Sequence, residues 1–251
     1  MRTRLLHEAA AAVDATPALV PILPDLFLGI ESLGSSPARV VRMLRLAGIA
    51  KGQRLLDLGC GKGAAATHIA RTLGCQCVGV DAMPEFISEA AATARSEGLS
   101  RRTRFIVGDA RRAEFPRKFD AAIMLGLFDV PEARRVLRRH TKPGGVFIID
   151  DAVAMRNRSD FLTLQGAREL LRRDGDELLA EDIWTAEQVR RQERSLHARL
   201  ARNADRLGRK NPRLKRSLAA FLERQIAAAK VLRSTLRPVQ WMVRVSPRPS
   251  R

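Results

Sequence analysis

Tyrosine is absent from this 251-residue chain, tryptophan occurs twice and phenylalanine nine times. So few flat side chains leave little platform on which nucleobases could stack. Cysteine occurs three times, at Cys60, Cys75 and Cys77, with no C-x-x-C pair. That argues against a disulfide framework or a cysteine-based zinc site and for the reducing cytoplasm. The four histidines (His7, His68, His140 and His197) are scattered and show no ligand spacing, so no metal is expected. No run approaches the roughly 20 apolar residues of a membrane-spanning helix. Glu8 and Asp14 interrupt the apolar stretch behind the basic N-terminus, which therefore reads as an amphipathic helix and not as a secretory leader. Acidic residues are also scarce: 27 Asp and Glu face 45 Lys and Arg, a net charge of +18.

What is present is enough for a proper core, since 45% of the residues are hydrophobic. The charge is unevenly spread. Residues 190–251 hold 18 basic and 3 acidic residues, a net of +15, against +6 for residues 1–151. Between 54 and 151, short apolar runs alternate with helical patterns, the signature of βαβ units around a parallel sheet. Strands are expected at 54–58, 76–80, 103–107, 119–125 and 146–150, a sixth at 177–184 and a last at 239–245. Helices are expected at 36–46, 62–73, 84–97, 131–140 and 159–173. Two basic helices broken near Asn211-Pro212 should follow, the second with one apolar face through Leu214, Leu218, Phe221, Leu222, Ile226 and Ala229. Residues 17–34 are interrupted by prolines and read as a cover over the sheet.

The first strand runs through Asp57-Leu58 into Gly59-Cys60-Gly61-Lys62-Gly63 and then a helix. Alternate glycines let a backbone turn tightly and approach a ligand, and the helix start offers unpaired amides. Asp81 ends the second strand, where a carboxylate can accept hydrogen bonds from ribose hydroxyls. Gly108-Asp109-Ala110 follows the third, at the same edge of the sheet. Gly59, Gly61 and Ala64 satisfy a dinucleotide spacing, but Asp57 would repel a pyrophosphate and suits a cationic group better. A P-loop is excluded by spacing.

With these motifs, together with Phe119-Asp120 and Lys142-Pro143-Gly144-Gly145, the sequence resembles the class I S-adenosylmethionine-dependent methyltransferases. It is similar to the ubiquinone and menaquinone methyltransferase group, firmly over about residues 36–151. The resemblance implies an α/β, Rossmann-like, doubly wound and mostly parallel seven-stranded sheet, with 239–245 as the antiparallel strand. Its expected divisions are a helical N-terminal cover (1–35), the cofactor-binding core (36–183), a basic helical insertion or lid (184–237), and the last strand and tail (238–251).

The resemblance also assigns a site for S-adenosylmethionine, with S-adenosylhomocysteine as product. Gly59, Cys60, Gly61 and Gly63 would line its methionine part and Asp57 its amino group. Asp81 would hold the ribose, Ala82 and Met83 would flank the adenine, and Asp109 and Ala110 would meet its amino edge. Leu125 and Gly126 would floor the site near the sulfonium. No catalytic residue is assigned. Asp150, Asp151, Glu31 and Asp129 are the acceptor-side candidates, and His140 is expected to cap its helix.

The expected activity is methyl transfer to a small molecule, with an anionic acceptor among the candidates, by in-line displacement. Two alternatives stand beside it: an RNA methyltransferase docking through the basic helices, and a binding module without catalysis.

Overall fold

The structure is a computed structural model that describes residues 2–11, 13–30, 36–155 and 161–247. Helix α1 (Arg2–Ala11) leads through a 3-10 segment (Pro17–Ile22) into the single turn α2 (Leu23–Leu26). Helix α3 (Pro37–Leu46) opens on a first-turn proline, where the missing amide costs nothing. Then follow β1 (Arg54–Leu58), α4 (Ala64–Leu73), β2 (Gln76–Asp81), α5 (Pro84–Ser96), β3 (Thr103–Val107), β4 (Phe119–Leu125), α6 (Val130–His140) and β5 (Thr141–Ala154). The chain closes with α7 (Leu164–Leu171), β6 (Glu177–Ile183), α8 (Ala186–Lys210), α9 (Lys215–Ser234) and β7 (Leu236–Arg244).

The seven strands lie in the order β3-β2-β1-β4-β5-β7-β6. Strands β1 to β5 are parallel, and β7 slots between β5 and β6 antiparallel to both. This is the expected α/β, doubly wound architecture. Alternate residues of each strand feed opposite faces, so the sheet carries two cores. Leu56, Phe119, Met124, Phe147 and Trp241 pack under α6 and α7. Leu55, Ile123, Ile148 and Met242 pack under α3 and α4. Burial on both sides is why the strands read as continuous apolar runs.

Two sequence motifs turn out to be staples of this sheet. The Asp120 carboxylate accepts the Arg54 amide at 2.8 Å and the Lys142 ammonium at 2.6 Å, joining β1, β4 and the start of β5. Burial would raise its pKa, but these partners hold it below the usual carboxylate range. Thr141 pairs with Phe119 and Val146 with Ala121, so residues 142–145 bulge out of the ladder between them. A side chain on Gly145 would meet the Asp120 carbonyl at 2.8 Å, which explains the second glycine.

Three expectations are corrected. β7 begins at Leu236, earlier than the predicted strand, and the helix expected over 159–173 is confined to Leu164–Leu171, with 156–160 outside the described residues. His140 does not cap its helix as a cation. Burial, then Arg139 and Lys118, push its pKa down to about 4, and the neutral ring packs edge-on against Phe115, 5.5 Å away.

A third core lies apart from the sheet. Leu19, Leu23, Leu26 and Phe27 from the N-terminal segment pack against Leu200, Leu207, Leu218 and Phe221 of α8 and α9, and Met83 joins them from the β2–α5 turn. Phe27 meets Phe221 edge to face at 6.2 Å. The cover and the basic helices thus form one lid above the carboxyl ends of the strands.

Candidate active site

After β1, the Gly59 and Cys60 amides both donate to the Val80 carbonyl (2.8 and 3.0 Å), drawing the loop toward β2. Asp81 locks it there: one carboxylate oxygen accepts the Gly61 amide at 2.8 Å and the other the Met83 amide at 2.9 Å. Burial raises the Asp81 pKa, opposed by the Met83, Gly61 and Ala82 amides. Gly59 has φ +75°, and a Cβ there would lie 2.8 Å from Leu127. Gly61 has φ +52° and faces open space, with nothing within 4 Å of where a Cβ would stand.

Asp57 lies beneath the loop, 2% exposed. Burial, and next the Asp81 carboxylate, push its pKa up to about 7, against the Ala66 amide that lowers it. Its Oδ2 is buried without a hydrogen-bond partner. An orphaned carboxylate oxygen at the floor of a glycine cradle is poised for a cationic group that donates hydrogen bonds.

The loop opens into a cavity of about 700 Å³, well within the size range of small-molecule sites. Its sheet side is walled by the ends of β1, β2 and β4 and by Gly108–Arg111 after β3; its far side is walled by the lid, through Phe27, Ile30, Leu196, Ala229 and Leu232. Arg111 ties the two sides together. Its guanidinium pairs with Glu132 at 2.8 Å and with Glu8 of α1 at 3.3 Å, and stacks 4.0 Å above the Phe128 ring. Lys62 does the same from the loop, donating to the Phe27 carbonyl at 3.0 Å and pairing with Glu89 at 2.8 Å.

Residues 55–145 match the family model described as a methyltransferase domain. Among curated proteins, the sterol 24-C-methyltransferase of Gibberella zeae is 34% identical over 105 residues, 40% of this chain and 28% of that protein. Norajmaline N-methyltransferase of Rauvolfia serpentina is 36% identical over 88 residues, 32% of this chain and 30% of its own. The chain therefore spans less than a third of the length of either relative. Among solved structures, a SAM-dependent methyltransferase of Geobacter sulfurreducens in complex with S-adenosyl-L-homocysteine superposes with a TM-score of 0.76, at 22% identity, covering 89% of this chain and 97% of that one. Residues 55–145 thus form a methyltransferase domain, and the fold around it is that of S-adenosylmethionine-dependent methyltransferases.

S-adenosylmethionine fits the residues of this methyltransferase domain, because the unpartnered Asp57 oxygen and the open cradle above Gly61 match its ammonium and its backbone-hugging methionine part. Of the residues expected around the cofactor, Asp57, Gly59, Cys60, Gly61, Asp81, Ala82, Met83, Asp109, Ala110, Leu125 and Gly126 all line the cavity. Gly63 does not. A Cβ on it would stand 2.8 Å from Ala90 and from the Phe105 ring, so it is glycine for helix-to-sheet packing at φ +76°. Cys60 is a buried filler, its thiol pKa pushed well up by burial and then by Asp57 and Asp81.

The acceptor-side candidates fare differently. Asp129 caps α6 by accepting the Glu132 amide at 3.0 Å. Asp151 accepts the Val130 and Ala152 amides at 3.1 and 2.7 Å, and burial pushes its pKa up to about 6. Neither these two nor Asp150 belongs to the cavity wall, and Glu31 lies outside the described residues. The polar residues that wall the cavity opposite the glycine loop come from elements without a motif, among them Glu8, Glu193, His197 and Gln225.

Arg111→Ala is expected to loosen the lid, costing about 1 kcal/mol because its pairs are half-exposed. Urea denaturation measures the loss, and limited proteolysis should cut first within residues 1–30. Cleavage elsewhere, with the N-terminal segment intact, would contradict the tie described above.

Proposed function

We propose that the protein transfers a methyl group from S-adenosylmethionine to a small, largely apolar acceptor inside the cavity under the lid. One observation carries this reading: the cofactor cradle and an apolar chamber under the lid are parts of a single cavity. When bound, the cofactor supplies a methyl group on a positively charged sulfur, ready for in-line attack. The chain's own work is then positioning and water exclusion, which such a transfer needs more than proton chemistry.

In this reading Asp57 accepts hydrogen bonds from the cofactor's ammonium, and the Gly59–Gly61 backbone follows its methionine part. Asp81, already fixed by two amides, turns its remaining lone pairs to the ribose. Ala82, Met83, Asp109 and Ala110 enclose the adenine, and Leu125 and Gly126 floor the reacting centre. The lid, closed by Phe27, Leu196 and Leu232, keeps water away and seats the acceptor. The relatives named for a sterol and for norajmaline support a bulky organic acceptor.

The outer face of the lid favours a second reading. Arg190, Arg191, Arg194, Arg199, Arg202 and Arg209 of α8 are exposed, and none of them lines the cavity. That surface would suit docking on RNA. Incubating the protein and methyl-labelled cofactor with cell extract separates the two. The small-molecule reading expects label in the organic, low-mass fraction, little affected between 50 and 300 mM salt. Label in RNA, falling steeply with salt, would replace it, and no turnover with any fraction would remove catalysis altogether.

A further inference from the structure

Helix α8 turns Glu193, Leu196 and His197 toward the cavity, three positions that share one helical face. Helix α9 answers with Gln225, Ala229 and Leu232. Glu193 is only 8% exposed, although it sits in the most basic part of the chain. One of its carboxylate oxygens pairs with Arg233 of α9. The other, Oε1, is buried and has no hydrogen-bond partner.

The amide on the same wall is committed elsewhere. Gln225 donates to the Asp14 carboxylate at 3.0 Å and to the Val13 carbonyl at 3.1 Å. Lys62 and Arg111, the Lys and Arg among the described residues of the wall, are both in ion pairs, Lys62 with Glu89 and Arg111 with Glu132 and Glu8. Around them the chamber is apolar. An acceptor that enters thus meets hydrocarbon walls, an unsatisfied acceptor oxygen at Glu193, and further carboxylates at Glu8 and Asp14.

We infer that Glu193 is the anchoring point for the methyl acceptor, and that the acceptor is an apolar molecule carrying a hydrogen-bond-donating group, a hydroxyl or a protonated amine. This rests on the proposed transfer activity and names its substrate class. An anion is disfavoured because it would approach Glu193, Glu8 and Asp14 with no unpaired Lys or Arg among the described residues of the wall to compensate. An apolar molecule without a donor would leave the Glu193 oxygen stripped of water and unbonded, which is a penalty against it. His197, one turn farther along α8, faces the same chamber beside the anchored group.

The test uses octylamine, octan-1-ol and octanoate as probes, titrated calorimetrically into protein saturated with S-adenosylhomocysteine. Octylamine is expected to bind at least about ten-fold tighter than octanoate, with octanol between them, a ratio of the size expected for one charge-assisted hydrogen bond. The +18 surface works against this order, so unspecific attraction cannot produce it. Glu193→Gln is expected to shrink the amine preference below about three-fold and to leave the S-adenosylhomocysteine affinity unchanged. Leu232→Trp, which fills the chamber, should abolish binding of all three probes with cofactor-product affinity intact.

Octanoate binding as tightly as octylamine, or an amine preference that survives in Glu193→Gln, would overturn the inference. If Glu193→Gln does not fold, the order of the three probes on the unmodified protein and the Leu232→Trp result still decide it. Failure of S-adenosylhomocysteine to bind at all is a different outcome. It removes the transfer reading, and the same probes on the ligand-free protein then judge Glu193 alone.

Discussion

Replacing Asp57 by Asn is expected to weaken S-adenosylmethionine binding by about a hundred-fold and, in the same protein, to raise the melting temperature of the ligand-free form at pH 7.5. Both effects have one cause. Asp57 is fully enclosed, with a pKa pushed up to about 7 by burial and by its neighbour Asp81. A folded-state pKa above the unfolded value of 3.8 means that folding favours the protonated acid. The group's contribution to stability is therefore complete below about pH 4 and is lost as pH rises to about 7. That loss corresponds to roughly 4 kcal/mol for three pKa units. Asn keeps the carbonyl that accepts the Ala66 amide and removes the charge, so the slope disappears and the ligand-free protein melts several degrees higher.

The cofactor needs the opposite state, the carboxylate. Affinity for S-adenosylmethionine should thus rise several-fold between pH 6 and pH 7.5, as Asp57 gives up its proton. It should level off near pH 8, where an α-amino group begins to lose its own. Calorimetry across this range checks the profile, and thermal melting checks the stability. A flat profile in the unmodified protein, or near-normal affinity in Asp57→Asn, would contradict the role given to the carboxylate.

The second large effect separates two glycines of the same loop. Gly63→Ala is expected to destabilise the protein by about 2–5 kcal/mol, the sum of a left-handed backbone penalty and an overpacked contact. The new methyl would stand 2.8 Å from both Ala90 and Phe105, and neither can move without parting α5 or β3 from α4. Against a typical stability of about 5–15 kcal/mol, this brings the fold near its limit. Gly61→Ala pays only the backbone penalty, about 1–2 kcal/mol, because no atom lies within 4 Å of the added carbon. Its methyl points into the cradle, and its cofactor affinity should fall by ten-fold or more. Urea titration and calorimetry on the two variants give a crossed pattern: Gly63→Ala loses more stability with little change in affinity per folded molecule, and Gly61→Ala loses less stability but more affinity. Equal losses in both would mean that the loop acts as one unit.

That contrast marks where sequence reasoning ran out. The glycines at 59, 61 and 63 form one pattern in the chain, yet only the neighbours contributed by α5 and β3 reveal that Gly63 serves packing. The strands were legible because each is buried on both faces and so is written as an unbroken apolar run. The half of the cavity proposed for the cofactor was legible because its lining residues sit at strand ends, in fixed order along the chain. Asp129 and Asp151 also follow strands, but they are spent on the first turn of α6, and nothing in their spacing distinguishes a cap from an acceptor ligand.

The half proposed for the acceptor was not legible, because it is assembled from helices that carry no motif. One signal was available. Val189, Glu193, Leu200, Ala204 and Leu207 recur buried on one face of α8, with Leu196 partly buried beside them, and Glu193 is the lone acid on that apolar stripe amid many arginines. Much of the +15 carried by the last 62 residues lies on the other, exposed face.

The lid has a consequence for how the molecule comes together. Its core joins residues before 30 to residues after 196, and the Arg224 guanidinium meets the Asp14 carbonyl at 2.9 Å across 210 positions of chain. In an unfolded chain, closing so long a loop costs about 4–5 kcal/mol of entropy before a single contact repays it. The sheet closes in shorter steps, β1 onto β4 and β5 onto β7 each spanning under half as many residues, and once formed it holds the two ends of the chain within reach. The order of events follows: the cradle for the cofactor forms with the sheet, and the chamber for the acceptor exists only after the ends have met above it.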